Sequence, residues 1–428
     1  MIPAMFISLA VLLLLTVPVG VILLIITVVP NLLNPSFAVN IEYLARNLPE
    51  AFNNTTLLAI PLFMLSGVIM AKGQISKKIY DVFAFFIGNL PGGLPSAVVV
   101  TCLFYGAISG SGPATTAAVG AMTIPMLIGL GYDVTFCASL VAVAGGLGVI
   151  IPPSVPFIMY SNSSGVSVGA IFIAGVLPGI LIGALLILYV YFYCKSKGED
   201  KEKIQVKVKE LRSIGFWKVF KDSFWALLCP VIVLGGIYAG IVTPTEAACV
   251  SVVYALIVSC FIYRSINLKD MIAVFQEASA TIASVVIITG AAAMFAKTIT
   301  LLRIPQEVAV MLGDAASNKI VMLLIINLVL LICGMLLDTG ASVLIMTPIL
   351  LPLATAVGMD PIHFGVMMIV NLAIGFVTPP VGMNLYVAAS LTNLKPMAIA
   401  RKAIPQLAMF FVALMLITFI PAISLALI

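Results

Sequence analysis

Two clusters of oxygen-bearing side chains lie beside glycine and proline breaks in an otherwise apolar sequence. Ser109, Ser111, Thr115 and Thr116 fall within GAISGSGPATTAAVGAMTIPML (106–127), and Asp338, Thr339 and Ser342 within GMLLDTGASVLIMTPILLPL (334–353). Downstream of each, an apolar run is broken by a proline pair: GGLGVIIPPSVPF (145–157) and NLAIGFVTPPVGMNLY (371–386). A proline pair removes two N–H donors and frees carbonyls on the preceding turn. In hydrocarbon those carbonyls must meet protein, water or a cation. Carbonyl and hydroxyl oxygens suit a hard monovalent cation, and half-helix N-termini present positive dipole ends to an anion. One such motif would be an ordinary packing kink, and small residues such as Ala117, Ala118 and Gly120 fit regular helix packing. Two matched breaks, each beside a hydroxyl-rich stretch, point to a binding site in a transporter.

Asp338 is the most informative acid. It follows the uncharged run from Ile320 to Leu337 and precedes another apolar helix. An ionisable group at that depth is a functional candidate by default. It can ligate a cation, cap a loop by accepting backbone N–H bonds, or contact a substrate hydroxyl. Other chemistries fail by inventory. No G-x-x-x-x-G-K-[ST] phosphate loop occurs, so ATP is not hydrolysed by that route. The single histidine, His363, precludes a His-rich metal site and argues against a Ser-His-Asp triad; it reads as structural or interfacial. Seven cysteines show no C-x-x-C spacing and imply no disulfide framework. The TPTEA segment with Glu246 reads as a structural helix start, an N-capping Thr followed by an early acid.

The elements that position these residues must be membrane helices. Of the 428 residues 62% are hydrophobic and 9% charged, with a mean hydropathy of +1.24, whereas a soluble domain carries about 25% charged residues. The length leaves room for roughly a dozen spans of about 20 residues. Runs such as Val11 to Val29 do not alternate as barrel strands do. The stretch from Met1 to Val29 lacks a basic leader and reads as one retained helix, and 41–54 reads as an interfacial helix. Lys72, Lys77, Lys78, Arg303, Glu307 and Lys319 read as interfacial anchors. Nine of the 21 Lys and Arg residues lie between Lys195 and Lys221, which makes that segment a cytoplasmic loop. The net charge of +5 therefore does not imply nucleic-acid binding.

The helix breakers recur in register, at one constant offset along the chain. Pro125, Gly131, Asp133, Gly148, Pro152, Pro153 and Pro178 map onto Pro352, Gly358, Asp360, Gly375, Pro379, Pro380 and Pro405. Breakers set backbone shape, the property a structural repeat must keep. The chain is therefore expected to comprise a first repeat (1–194), a basic linker (195–222) and a second repeat (223–428). The fold class is an all-α polytopic membrane protein with re-entrant hairpins and broken helices.

These motifs resemble the large membrane subunit of tripartite ATP-independent periplasmic (TRAP) transporters. The resemblance rests on GAISGSGPATTAAVG (106–120), IIPPS (150–154), GIVTPTEAACVSVVYAL (240–256), LDTGASVLIMTPILLP (337–352) and GFVTPPVGMNL (375–385), in order over essentially the whole chain. It implies a Na+-coupled importer of an organic acid (a C4-dicarboxylate, keto acid, sugar acid or sialic acid) in the bacterial inner membrane, working without nucleotide. It implies two inverted repeats and an elevator-type division into scaffold and transport domain. Two sodium sites carry over, one at Ser109, Gly112, Gly148, Ile151 and Pro153, the other at Gly334, Gly340, Gly375, Thr378 and Val381. Ser111, Thr115, Asp338 and Ser342 are the candidate substrate contacts. No Arg in the central motifs forms a carboxylate clamp. The implied partners are a separate small membrane subunit of about four helices, a periplasmic binding protein and membrane lipid. A self-sufficient Na+-coupled carboxylate symporter or antiporter is the alternative; an enzyme or passive channel is disfavoured by the missing His and Glu clusters.

Overall fold

The computed structural model describes residues 2–53, 55–73, 75–313 and 318–428, the Leu268 side chain excepted. Among the described residues every regular element is a helix. Eight of these helices are long and apolar enough to cross a membrane, rather than a dozen. Five further apolar helices, such as Gly93–Ser109 and Pro361–Gly375, are shorter, because glycine and proline cut the apolar runs that hold them.

The N-terminal run is two helices and not one. Ile2–Leu14 ends at Thr16, whose φ is 56°, and Val19–Leu33 starts after Pro18, which has no N–H to continue the first helix. The helix Ile41–Phe52 buries none of its residues against the rest of the chain, as an interfacial helix should. Asn54, the last residue of that expected segment, lies outside the described residues.

The basic linker is helical rather than a loop. Asp200 accepts the Lys203 N–H at 3.2 Å and starts the helix Lys201–Ser213. That bond and the Lys203 ammonium hold the Asp200 carboxyl below its usual range. Ile204 and Val208, four residues apart, are buried while the neighbouring lysines face out. Val208 packs beside Gly88, where a Cβ would lie 2.9 Å from it. Glu199 fastens this linker to the core. Its carboxylate accepts the Gly92 N–H at 3.0 and 3.1 Å and the Tyr132 hydroxyl. Burial and then that carboxylate push the Tyr132 hydroxyl upward. At Thr243 the expected helix start is a reciprocal capping box, in which Thr243 and Glu246 each accept the other's backbone N–H.

Two helical hairpins and two broken helices form the centre. The first hairpin pairs Gly93–Ser109 with Gly112–Gly129, and its broken helix runs Val134–Gly145, a 3-10 turn at Gly146–Val149, then Val155–Ser164. The second pairs Lys319–Leu336 with Thr339–Ala356, followed by Pro361–Gly375 and Met383–Thr392. Asp133 and Asp360 cap the two broken helices, accepting the Phe136 N–H at 2.9 Å and the Ile362 N–H at 2.8 Å. Both Pro-Pro bonds, Pro152-Pro153 and Pro379-Pro380, are cis.

The distal pieces are exchanged between the halves. Val155–Ser164 packs on Thr339–Ala356, whereas Met383–Thr392 packs on Gly112–Gly129 and Val134–Gly145. Asn384 donates to the Ala142 carbonyl at 2.9 Å, and the Tyr160 hydroxyl donates to the Pro361 carbonyl at 2.5 Å. Gly120 takes Leu391 and Val141 against its bare face, so the small-residue stripe is a packing surface.

Candidate ion- and anion-binding site

At the first hairpin tip Gly110 ends one arm at φ 60°, and its N–H donates to the Gly106 carbonyl at 2.9 Å. Ser111 is extended and caps the second arm, with Pro113 pre-set for the first turn. Oxygens collect on the inner side. The Ser109 and Thr115 hydroxyls are 2.7 Å apart, and Thr115 donates to the Ser111 carbonyl at 2.8 Å. The backbone of Gly148 closes on them. A Cβ there would lie 2.4 Å from the Thr115 hydroxyl and 2.7 Å from the Ser111 carbonyl oxygen. The Pro153 carbonyl oxygen lies 3.2 Å from where a Gly110 Cβ would stand. Ser109, Ser111, Thr115, Gly148 and Pro153 are thus brought together. The Ile151 side chain lies away from this cluster, filling the space beside Gly179.

The second tip is built differently. Leu337 is extended, and the N-cap is Asp338, whose carboxylate accepts the Gly340 N–H at 2.9 Å. Of its three possible roles, Asp338 visibly fills the loop cap. The buried hydroxyls of Thr339, the next residue, and Ser342, one turn on, have no hydrogen-bond partner among the described residues. The broken helix reaches this tip through Gly375. A Cβ on Gly375 would stand 2.3 Å from the Gly334 carbonyl carbon and oxygen, so backbone meets backbone here. The Val381 N–H donates to the Met335 carbonyl at 3.3 Å, although the Val381 side chain is exposed. Thr378 donates its hydroxyl to the Ile374 carbonyl at 2.8 Å.

Two predicted residues face the opposite half. Gly112 lies under the Phe376 ring, 2.8 Å from where its Cβ would be, and Gly340 lies under Met159 at 3.0 Å. Each tip is therefore roofed by the other half's break or distal helix. Among the described residues no three His, Cys, Asp or Glu side chains stand together to hold a metal ion. Carbonyl and hydroxyl oxygens are the donor set on offer, and the two orphan hydroxyls add acceptors that the protein leaves unused. Asn327, Asn371 and Asn384 are buried polar residues beside these breaks that the motifs did not reveal. Their sequence signal is slight: single amides in apolar runs.

Helices interrupted at matched points, with the breaks meeting hairpin tips inside the bundle, define a multi-pass membrane transporter fold. Solved structures agree on the fold. The YdaH transporter of Alcanivorax borkumensis superposes with a TM-score of 0.65 at 14% identity, covering 95% of this chain and 97% of that one. Neisseria gonorrhoeae MtrF gives 0.60 at 15% identity, with 94% of each chain covered. Sequence similarity goes further. Residues 6–423 match the tripartite ATP-independent periplasmic transporter, DctM component, and the chain belongs to that family.

Relatives include the C4-dicarboxylate TRAP transporter large permease protein DctM of Pseudomonas aeruginosa, 39% identical over 91% of this chain and 90% of its own. The sialic acid TRAP transporter large permease protein SiaM of Vibrio cholerae is 34% identical over 96% and 94%. The isethionate TRAP transporter permease protein DctMQ of Oleidesulfovibrio alaskensis is 41% identical over 90% of this chain, which spans 60% of that longer protein.

Proposed function

We propose that the chain is the transport subunit of a Na+-coupled TRAP system that imports an organic acid anion across the bacterial inner membrane. The observation that carries this reading is the pair of oxygen-lined tips, each closed by a glycine of a proline-broken helix. One Na+ would sit among Ser109, Ser111, Thr115, Gly148 and Pro153 oxygens, the other among carbonyls near Gly334, Gly375 and Thr378. The substrate carboxylate would meet half-helix N-termini and the Ser111, Thr115 and Ser342 hydroxyls, and Asp338 would accept from a substrate hydroxyl. C4-dicarboxylates, keto acids, sugar acids and sialic acids are the candidate substrate classes. The constant offset between the matched breakers supports repeat units 1–194 and 223–428 joined by 195–222, inverted in the membrane. Their inner hairpins and broken helices would move as one body against the outer helices. A separate small membrane subunit and a periplasmic binding protein complete the system, as the names of the relatives suggest.

The test is uptake into proteoliposomes. Labelled organic acid should enter only with an inward Na+ gradient, the small subunit and the cognate binding protein together. Uptake by this chain alone, driven by Na+, would replace the tripartite reading with the self-sufficient symporter. Uptake indifferent to Na+ would remove the coupling ion.

A further inference from the structure

His363, Thr418, Asn327 and Asn371 form a buried polar file on one side of the second break. His363, Met367, Asn371 and Gly375 recur every four residues along Pro361–Gly375 and so share one helix face. His363 sits at the floor of a cavity of about 400 Å³ that Lys319, Asp360 and Thr418 also line. From there inward the contacts are polar. His363 Nε2 lies 3.4 Å from the Thr418 carbonyl oxygen, and Asn327 Nδ2 lies 3.4 Å from the Thr418 hydroxyl. Asn371 Nδ2 donates to the Asn327 carbonyl at 2.9 Å and to Asn327 Oδ1 at 2.8 Å. One turn beyond Asn371 is Gly375, against Gly334. The two ends of the file are unpartnered: His363 Nδ1 and Asn371 Oδ1 are buried with no hydrogen-bond partner among the described residues.

The same positions in the first half carry apolar side chains. By the offset that matches the breakers, His363, Met367, Asn371 and Asn327 correspond to Phe136, Leu140, Ala144 and Val100. The Phe136 ring stacks on Tyr193 with centroids 4.2 Å apart, and Leu140 and Ala144 are fully buried. Interhelical amide bonds alone could glue two membrane helices. Glue does not require an amide oxygen left without a donor, which costs about 1–3 kcal/mol unless water or an ion meets it.

We propose that this file is a hydrated route by which the second break exchanges Na+ with the cavity at Lys319 and Asp360. The proposal rests on the Na+ reading above. The Thr418, Asn327 and Asn371 oxygens replace water around the ion stepwise, and the unbranched Met367 side chain, whose sulfur lies 3.5 Å from Asn327 Nδ2, swings aside.

The experiment has two arms on the full chain in nanodiscs. In the first, hydroxyl radicals are generated in 18O-water, and labelling of Met367 is compared with that of Met368. Both are 0% exposed, and they point to different neighbours, Met367 to Asn327 and Met368 to Thr347. Met367 should label about tenfold faster; equal labelling overturns the route. In the second arm, binding and release of 22Na+ are timed in wild type and in His363→Phe/Asn371→Ala, which installs the first-half residues. Both rates at one site should slow about tenfold with little change in affinity, since a route alters barriers and not end states. Fast labelling with unchanged rates overturns the route and leaves Na+ binding standing. Absence of any 22Na+ binding to wild type removes the Na+ reading itself and the route with it. The labelling arm needs no variant, so misfolding of the double substitution cannot shelter the proposal.

Discussion

The two hairpin tips share a frame and differ in how their oxygens are used. In the N-terminal tip the Ser109 and Thr115 hydroxyls bond one another and the Ser111 carbonyl, so the protein satisfies its own polar groups. In the C-terminal tip a carboxylate at Asp338 takes the capping position of Ser111, while Thr339 and Ser342 keep unpartnered hydroxyls. Glycines close both tips, Gly148 on side-chain and carbonyl oxygens, Gly375 on bare backbone. Residues without a Cβ or an N–H stand at the constant offset, where they allow the backbone path of each break. Side chains lining the path are free to diverge. Frame and chemistry are thus set by different residues, and the first tip is pre-satisfied where the second has open acceptors.

The largest effect should come from Gly375→Ala. Its Cβ meets the Gly334 backbone, which cannot rotate away, so overpacking should cost about 3 kcal/mol and abolish uptake. Gly148→Ala meets the Thr115 hydroxyl at 2.4 Å and the Ser111 carbonyl oxygen at 2.7 Å, one side-chain and one backbone contact, and about 2 kcal/mol is expected by the same principle. Thermal melts of the two variants side by side measure this, and equal losses would break the distinction between the tips.

Next come the hydroxyls. Thr115→Val removes the 2.7 Å bond to Ser109, leaves that hydroxyl only the Ser111 carbonyl at 3.3 Å, and should cost about 1 kcal/mol. Ser342→Ala removes an already unpartnered group, so stability should hold or rise while half-saturating Na+ or substrate climbs. A destabilised Ser342→Ala protein would mean its hydroxyl has a hidden partner. Thr378→Val should shift half-saturating Na+ upward about fivefold, roughly 1 kcal/mol of binding, in a folded protein; an unchanged activation curve removes Thr378 from the second site.

The smallest effects are controls remote from both tips. Thr243→Ala should cost about 1 kcal/mol by loss of the N-cap, with Na+ activation unaltered. The linker cap carries a pH signature instead. Because the Asp200 carboxyl is held low, its contribution is present above the ordinary carboxylate range and fades as pH falls through the lowered value. Asp200→Asn keeps a capping oxygen but cannot titrate, so the acid-side decline in its melting temperature should be flatter. Identical declines in the two proteins would deny the cap any share of the acid response.

Much of this frame was legible because its signals are local. Glycine and proline mark the breaks at 110, 146–154 and 376–382 whatever the rest of the chain does. The Thr243 cap could be read from five letters. Asp133 and Asp360 were visible as matched positions, though not as the N-caps they prove to be. Other features needed partners that a sequence pattern does not name. Thr16 to Pro18 split an apolar run that looked continuous, since hydropathy records composition and not φ. The linker looked like a charged loop because Ile204 and Val208 are the only buried residues of its helix Lys201–Ser213. The exchanged distal helices, the Gly334–Gly375 contact and the Asn327–Asn371 pair each join segments far apart along the chain. No periodicity reports on such contacts.

The exchange of distal helices has a consequence for how the protein is made. Val155–Ser164 finds its seat on Thr339–Ala356, which is synthesised much later. At about 5–20 residues per second, that seat leaves the ribosome some 10–35 s after its occupant. For that interval the first break, with glycine- and proline-freed carbonyls, has no finished protein wall between it and the lipid, where bare polar backbone is not tolerated. The nascent first half must therefore be held by the insertion machinery, or stay near the aqueous interface, until the second half arrives to close over it.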